Sequence, residues 1–140
     1  MKTWMILPLL LVSACATSAP QPENAQLALY RAHAGAPVPT FKYIGRGHVE
    51  SWKPFGDRAL AVWTHPNEAY LIDLDSSCMD LDRATGIELT SHAGVVGTSD
   101  DVLVRYPGTH LPCRIETIRP LDTAALRESD AKSADQASGT

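Results

Sequence analysis

The chain has 140 residues, a length that suits one domain. Its 12 Lys and Arg stand against 16 Asp and Glu, giving a formal charge of −4 with no basic block, so the electrostatic footprint of a nucleic-acid binder is missing. The three cysteines, Cys15, Cys78 and Cys113, lie in different contexts and divide into one plus two.

Met1-Lys2-Thr3 is a short positive segment, and Trp4 to Val12 is an apolar run interrupted only by Pro8. That run is too short for a bilayer, which needs about 20 apolar residues, and has the features of a secretory signal. Val12-Ser13-Ala14-Cys15 resembles the bacterial lipoprotein signal: an aliphatic residue, two small residues, then an obligatory Cys. The resemblance implies cleavage after Ala14, so that 1–14 is a signal peptide, and acylation of Cys15. Several acyl chains anchor stably where one is marginal. The alternative is an ordinary signal peptide that happens to contain Cys. Ala16 occupies the position where the usual inner-membrane retention signal is Asp, which by resemblance to enterobacterial sorting implies an outer-membrane protein facing the periplasm. Residues 15–26, including the small, polar run Ala16 to Asn24, read as a flexible tether.

Residues 27–122 hold the domain. Leu27, Tyr30 and Ala34 fall at helical spacing within Ala25 to Ala34, and Gly35 suits a C-cap ahead of Pro37 and Pro39. This short helix is expected to lay a narrow stripe on a sheet. Phe41 to Ile44 and His48 to Lys53 are candidate strands, separated by Gly45-Arg46-Gly47, and Pro54-Phe55-Gly56-Asp57 supplies a turn. Leu60 and Val62 then alternate with Ala59, Ala61 and Trp63, while Tyr70, Ile72 and Leu74 alternate with Ala69, Leu71 and Asp73. Two period-2 runs around Thr64-His65-Pro66-Asn67-Glu68 predict a β-hairpin. A five-residue loop puts Val62 opposite Tyr70 and Leu60 opposite Ile72, and a one-residue slip breaks the match.

Beyond Cys78, Asp80 to Ala84 reads as one helical turn or an irregular crossing, Ile87 to Ser91 as a strand and His92-Ala93-Gly94 as a turn. Val95-Val96 and Asp101 to Tyr106 are extended, Pro107-Gly108 turns the chain, and Cys113 to Ile118 is the last strand. Asp122 can cap a short helix through Leu126 and Arg127, after which Ser129 to Thr140 lacks large apolar residues and reads as a disordered tail within 123–140. The pattern predicts a mainly β fold: a small antiparallel sandwich or barrel-like sheet with a short N-terminal helix and one internal disulfide. Its expected core is Trp52, Leu60, Val62, Tyr70, Ile72, Leu81, Ile87, Leu89, Val102, Val104, Ile115 and Ile118.

An exported chain meets an oxidising compartment, and the even pair left after acylation, Cys78 and Cys113, reads as the disulfide. The rival is a metal or redox site: His110 stands three residues before Cys113, and His48, His65 and His92 could join it. None of the zinc, haem or redox spacings is present, so neither metal nor cofactor is expected. Gly97-Thr98-Ser99-Asp100 does not fit a nucleophile turn, so no catalytic residue is assigned. Gly45-Arg46-Gly47 lacks the following Lys-Ser/Thr of a phosphate loop. Asp73, Asp75, Asp80 and Asp82 read as a solvated acidic face, with weak Ca²⁺ binding or pairing to Arg58, Arg83 or Arg114 as alternatives; the spacing is not that of an EF-hand. Trp52 and Trp63 are expected in the core, the alternative being an exposed ligand platform.

The chain resembles a family of small proteobacterial lipoproteins whose domain has no assigned function. The residues that carry the resemblance run from Leu27 to Asp122: Tyr30 with Ala34-Gly35, Ser51-Trp52, Ala59 to Trp63, Ala69-Tyr70-Leu71, Cys78 with Leu81, Ile87 with Thr90-Ser91, Asp101-Val102, Cys113-Arg114-Ile115 and Ile118 to Asp122. The family's paired cysteines match Cys78 and Cys113, and it has no known catalytic residues to carry over. The expectation is a non-enzymatic, membrane-anchored periplasmic lipoprotein that binds an envelope protein or glycan or maintains the envelope, through a ligand surface the sequence does not locate. The alternatives are a periplasmic enzyme or enzyme inhibitor using His65, His92 and His110, and a metal carrier. Convergence of those histidines in one cleft would favour the enzyme.

Overall fold

Alternation between Ala59 and Leu74 does build a hairpin, from β3 (Ala59–His65) and β4 (Glu68–Leu74). Val62 pairs with Tyr70 and Leu60 with Ile72, the register expected from the sequence. The connection is tighter than a five-residue loop. His65 pairs with Glu68, so only Pro66 and Asn67 turn, and the surplus residue is absorbed as an irregularity between Trp63 and His65.

A computed structural model describes residues 22–43 and 49–139 of the chain. The leader, Cys15, Ile44, the Gly45-Arg46-Gly47 turn and His48 lie outside the described residues. The chain runs α1 (Pro22–Ala32), β1 (Thr40–Lys42), β2 (Ser51–Phe55), β3, β4, a 3₁₀ turn (Leu81–Arg83), β5 (Gly86–Leu89), β6 (Val95–Gly97), β7 (Asp101–Tyr106), β8 (Thr109–Leu121) and α2 (Thr123–Ser138). Six strands form one antiparallel sheet in the order β2-β3-β4-β8-β7-β5, curled into a half-barrel, and β1 pairs with β6 in a small second sheet.

Curling follows from β8, which is long enough to serve two partners. Its first half, Thr109 to Arg114, pairs with β7, and its second half, Ile115 to Leu121, pairs with β4. The switch falls at a bulge, where Asp73 pairs with Thr117 but Leu74 with Ile115. A bulge bends its strand and adds twist. The sequence reading starts this strand at Cys113. It starts four residues earlier because Pro107-Gly108, with Gly108 at φ 86, makes a tight turn that pairs Tyr106 directly with Thr109.

The hollow of the half-barrel holds the main core. Leu60, Val62, Ile72, Leu81, Val102, Val104, Ile115 and Ile118 are wholly or almost wholly buried there, closed over by Phe41 and Val96 from the second sheet and by the adjoining Tyr43. Phe41 stacks on Tyr70 with ring centroids 4.2 Å apart. All twelve expected core residues belong to this cluster, with Trp52 and Tyr70 partly buried at its margin. The outer face of the same hairpin is buried as well. Ala59, Ala61, Ala69 and Leu71 pack with Phe55, Leu121, Tyr30 of α1 and Leu126 of α2 in a second cluster. Small alanines let the helices approach the sheet closely, so a strand face that reads as weakly apolar in sequence carries a helical layer.

Several boundaries differ from the sequence reading. Helix α1 begins at Pro22, inside the expected tether, because Pro at a first helical position sacrifices no hydrogen bond. It ends at Ala32, and Gly35 is not its cap; the Gly35 N–H donates to the Pro120 carbonyl at 2.8 Å. Pro54 lies within β2 rather than in a turn, tolerated because β2 is a sheet edge. Asp122 caps α2 as expected, its Oδ1 accepting from Ala125 N at 3.0 Å. The expected disordered tail is instead helix to Ser138. Alanine-rich sequence has high helix propensity, and a Glu128–Lys132 pair at i,i+4 adds support.

Cys78 and Cys113 form the disulfide, their Cα atoms 5.8 Å apart and both side chains buried in the main core. The bridge ties the segment after β4 to β8 just before the partner switch. It closes a loop with a sequence separation of 35, which stabilises the fold by about 4 kcal/mol in the chain-entropy model. Cys78→Ser with Cys113→Ser is expected to lower unfolding free energy by about that amount, measured by urea denaturation with and without reductant.

Burial pushes the Tyr70 phenol up to about 12, with the hydrogen bond to Glu68 Oε1 (2.9 Å) and the nearby Glu68 charge adding to it. Tyr30 and Tyr43 are also raised, chiefly by burial. A folded-state pKa above the unfolded value of 10 gives stability that is whole below pH 10 and lost as pH rises towards 12, because only the unfolded chain releases the proton in that window. Ultraviolet titration of the phenols should therefore show a late phase near pH 12 that Tyr70→Phe removes.

Candidate functional site

The sheet face that carries α1 becomes polar beyond Leu71. Moving along β4 and β8 past the Leu71–Arg119 pair brings Asp73 opposite Thr117, both on the helical side of the sheet. Arg31, in the last turn of α1, reaches down to Asp73 with a two-pronged bond: Nη2 to Oδ1 at 2.5 Å and Nη1 to Oδ2 at 3.2 Å. Thr117 Oγ1 donates to the same carboxylate at 2.9 Å. Planar guanidinium and carboxylate groups match in this arrangement, which is stronger and more directional than a single contact. An open cleft of about 480 Å³ surrounds this pair, lined also by Arg58, Glu116 and Arg119. The bulge places Glu116 on its rim by leaving that residue without a cross-strand partner in β4.

The sequence places Asp73 on a solvated acidic face, with pairing of that face to Arg58, Arg83 or Arg114 as an alternative. Asp73 belongs to Arg31, and Arg58 Nη2 instead contacts the Asp75 carbonyl at 3.3 Å. Arg114 pairs with Asp101 at 3.0 Å and also donates to the Ser99 carbonyl. No local pattern joins Arg31 to Asp73 across 42 positions of chain. The one available signal is the placement of Arg31 at a predicted helix C-terminus, where a cation suits the helix dipole.

Asp80 and Asp82 line a shelf beside the disulfide together with Gly56, Asp57, Ser77 and Met79. Ser77 donates to Asp57, and Met79 is 70% exposed. No group of three or more His, Cys, Asp or Glu side chains is placed to hold a metal ion among the described residues.

His65, His92 and His110 do not come together. His65 ends β3 at the turn into β4, beside the end of β8 that carries Leu121. His110 lies at the opposite end of β8, across from Arg105. His92 sits on the turn between β5 and β6, where its Nδ1 is 3.2 Å from Asp100 Oδ1. Cys113, three residues from His110, is committed to the disulfide. Trp52 and Trp63 likewise separate: Trp52 shares the Val62 face and the main core, and Trp63 packs edge-on to Tyr30 in the second cluster, so they form no common platform.

Asp100, which no sequence motif marks, is 3% exposed and organises its surroundings. It accepts from Gly97 N (2.8 Å) and Thr90 Oγ1 (3.1 Å) besides facing His92. Thr90 Oγ1 in turn accepts from Asp101 N at 2.8 Å. A buried carboxylate with three such neighbours is compensated for its lost hydration. The turn that carries His92 is strained: Ala93 and Gly94 both take positive φ, 53° and 76°, with His92 and Val95 exchanging two backbone hydrogen bonds of 3.0 Å. Only the second position has the residue this mirror-image turn favours. Ala93→Gly is expected to stabilise the fold by about 0.5–1 kcal/mol, the relief of a left-handed alanine less the entropy of a glycine. Chemical denaturation of the variant checks it.

A family model described as "Family of unknown function (DUF6491)" matches residues 1–137, and the chain belongs to that family. No curated protein and no solved structure matches it.

Proposed function

We propose that this member of the family is a lipid-anchored binding protein of the bacterial cell envelope, of the kind found in the small proteobacterial lipoproteins it resembles. In this reading residues 1–14 direct export and are removed. Acyl chains on Cys15 hold the mature chain in the outer membrane, and the half-barrel faces the periplasm. There it binds a protein or glycan partner.

The observation that carries the reading is the allocation of sulfur. Cys78 and Cys113 pair inside the core, which leaves Cys15 alone at the end of Val12-Ser13-Ala14-Cys15. A buried disulfide suits an oxidising compartment, and reaching one requires an export signal such as the leader supplies. A binding role, rather than hydrolysis, is supported by the separation of His65, His92 and His110 and by an open polar cleft lined by three guanidinium groups, which hold ligands by fixed donors and do not exchange protons near neutrality.

Expression of the full chain with a radiolabelled fatty acid is expected to label the wild type. Cys15→Ser should abolish the label and leave an uncleaved precursor. Mass spectrometry of the purified protein should find the mature N-terminus at an acylated Cys15. An unacylated chain, or Cys78 and Cys113 alkylated without prior reduction, would overturn the reading. Crosslinking in intact envelopes then identifies the partner.

A further inference from the structure

The cleft beside α1 holds three arginines in a chain whose formal charge is −4. Their roles are unequal. Arg31 is engaged by Asp73, whose carboxylate accepts two bonds from Arg31 and one from Thr117. Among the described residues Arg58 donates to the Asp75 carbonyl, at 3.3 Å. Arg119 Nε is buried with no acceptor among the described residues. None of the ion pairs formed among the described residues uses Arg58 or Arg119. A guanidinium donor shut away from water and left without an acceptor is unfavourable, and it is one of the few kinds of group in a fold that calls for a specific explanation. Arg119, with this buried Nε, and the exposed Arg58 thus line one cleft, and neither forms an ion pair among the described residues.

We infer that this cleft is a phosphate-binding site, with Arg58 and Arg119 as its ligands and Arg31 held at its edge by Asp73. Forked N–H donors match phosphate oxygens in pairs, and several guanidinium groups match a group that offers more than two oxygens. Asp73 and Thr117 act as positioning residues, because they hold Arg31 in one orientation. Glu116 on the rim repels an anion that carries no compensating group, so the cleft favours a phosphate bearing hydroxyl or ammonium substituents over a bare polyanion. The site deepens the binding reading above and rests on it, but it is independent of acylation at Cys15.

Thermal unfolding of the full-length protein in nonionic detergent tests the site, in chloride against inorganic phosphate and against glycerophosphoglycerol, at matched ionic strength. The first probe stands for free phosphate and the second for a phospholipid headgroup. Either one should raise the unfolding temperature, and the one that acts at lower concentration identifies the source. Arg58→Gln, at an exposed position, and Arg119→Lys, which keeps the charge but loses the fork, should each weaken the response about tenfold. Arg83→Gln, on the exposed 3₁₀ turn, should leave it unchanged. Circular dichroism confirms that the variants are folded. No response to either probe, or an equal response in wild type, Arg58→Gln and Arg119→Lys, overturns the site. With acylation of Cys15 intact, that result removes the phosphate site and leaves the anchoring reading standing.

Discussion

One strand holds this domain together by having two partners. β8 pairs with β7 along its first half and with β4 along its second, and the change of partner occurs between Arg114 and Ile115. At that point the ladder is interrupted, so backbone groups must find other acceptors. They do: Asp75 N donates to Arg114 O, and Ile115 N donates to Asp100 O, at 3.1 Å each. Cys113 and its bridge to Cys78 lie next to the change. Without a junction there, the sheet would fall into two smaller ones, β2-β3-β4 with the end of β8 and β5-β7 with its start.

From that junction the two faces diverge. The concave face closes on itself with buried side chains and the small β1–β6 sheet. The convex face receives α1 and α2, and the helices cover only its Ala-rich part. Where α1 ends, the face turns polar, and the bulge that bends β8 also opens the ground around Asp73, Thr117 and Arg119. The position of the cleft is thus a consequence of curvature: the same bend that wraps the core creates the edge at which the helical layer stops. Asp100 plays the matching role on the other side. Its buried carboxylate holds the start of β7, through Gly97 and Thr90, against the turn that carries His92.

Much of the fold is legible in sequence wherever the cause is local. The alternation of Leu60 and Val62 against Tyr70 and Ile72 specifies a face and, through it, a register. Pro107-Gly108 specifies a turn, and Asp122 specifies a helix start, because each acts within a few residues of itself. Reading fails where two local signals compete or where the evidence is distant. Pro54 beside Gly56 looks like a turn, yet an edge strand accepts a proline. The alanines of the hairpin look like filler, yet they are the contact surface for two helices. The polar tail looks disordered, yet alanine propensity and a capped start carry the helix to Ser138.

By itself the sequence determined the central hairpin and its register, the core-facing strand pattern and the pairing of Cys78 with Cys113, since side-chain sterics, turn chemistry and the parity of thiols need no knowledge of the whole. Only the tertiary structure decided that β8 changes partners, that the hairpin is buried on both faces, that the histidines stand apart, and that Arg31, Arg58 and Arg119 meet. Those facts depend on contacts between residues far apart in the chain. Nothing near Arg31 in the sequence encodes that Asp73 will be beside it; the curl of one strand brings them together.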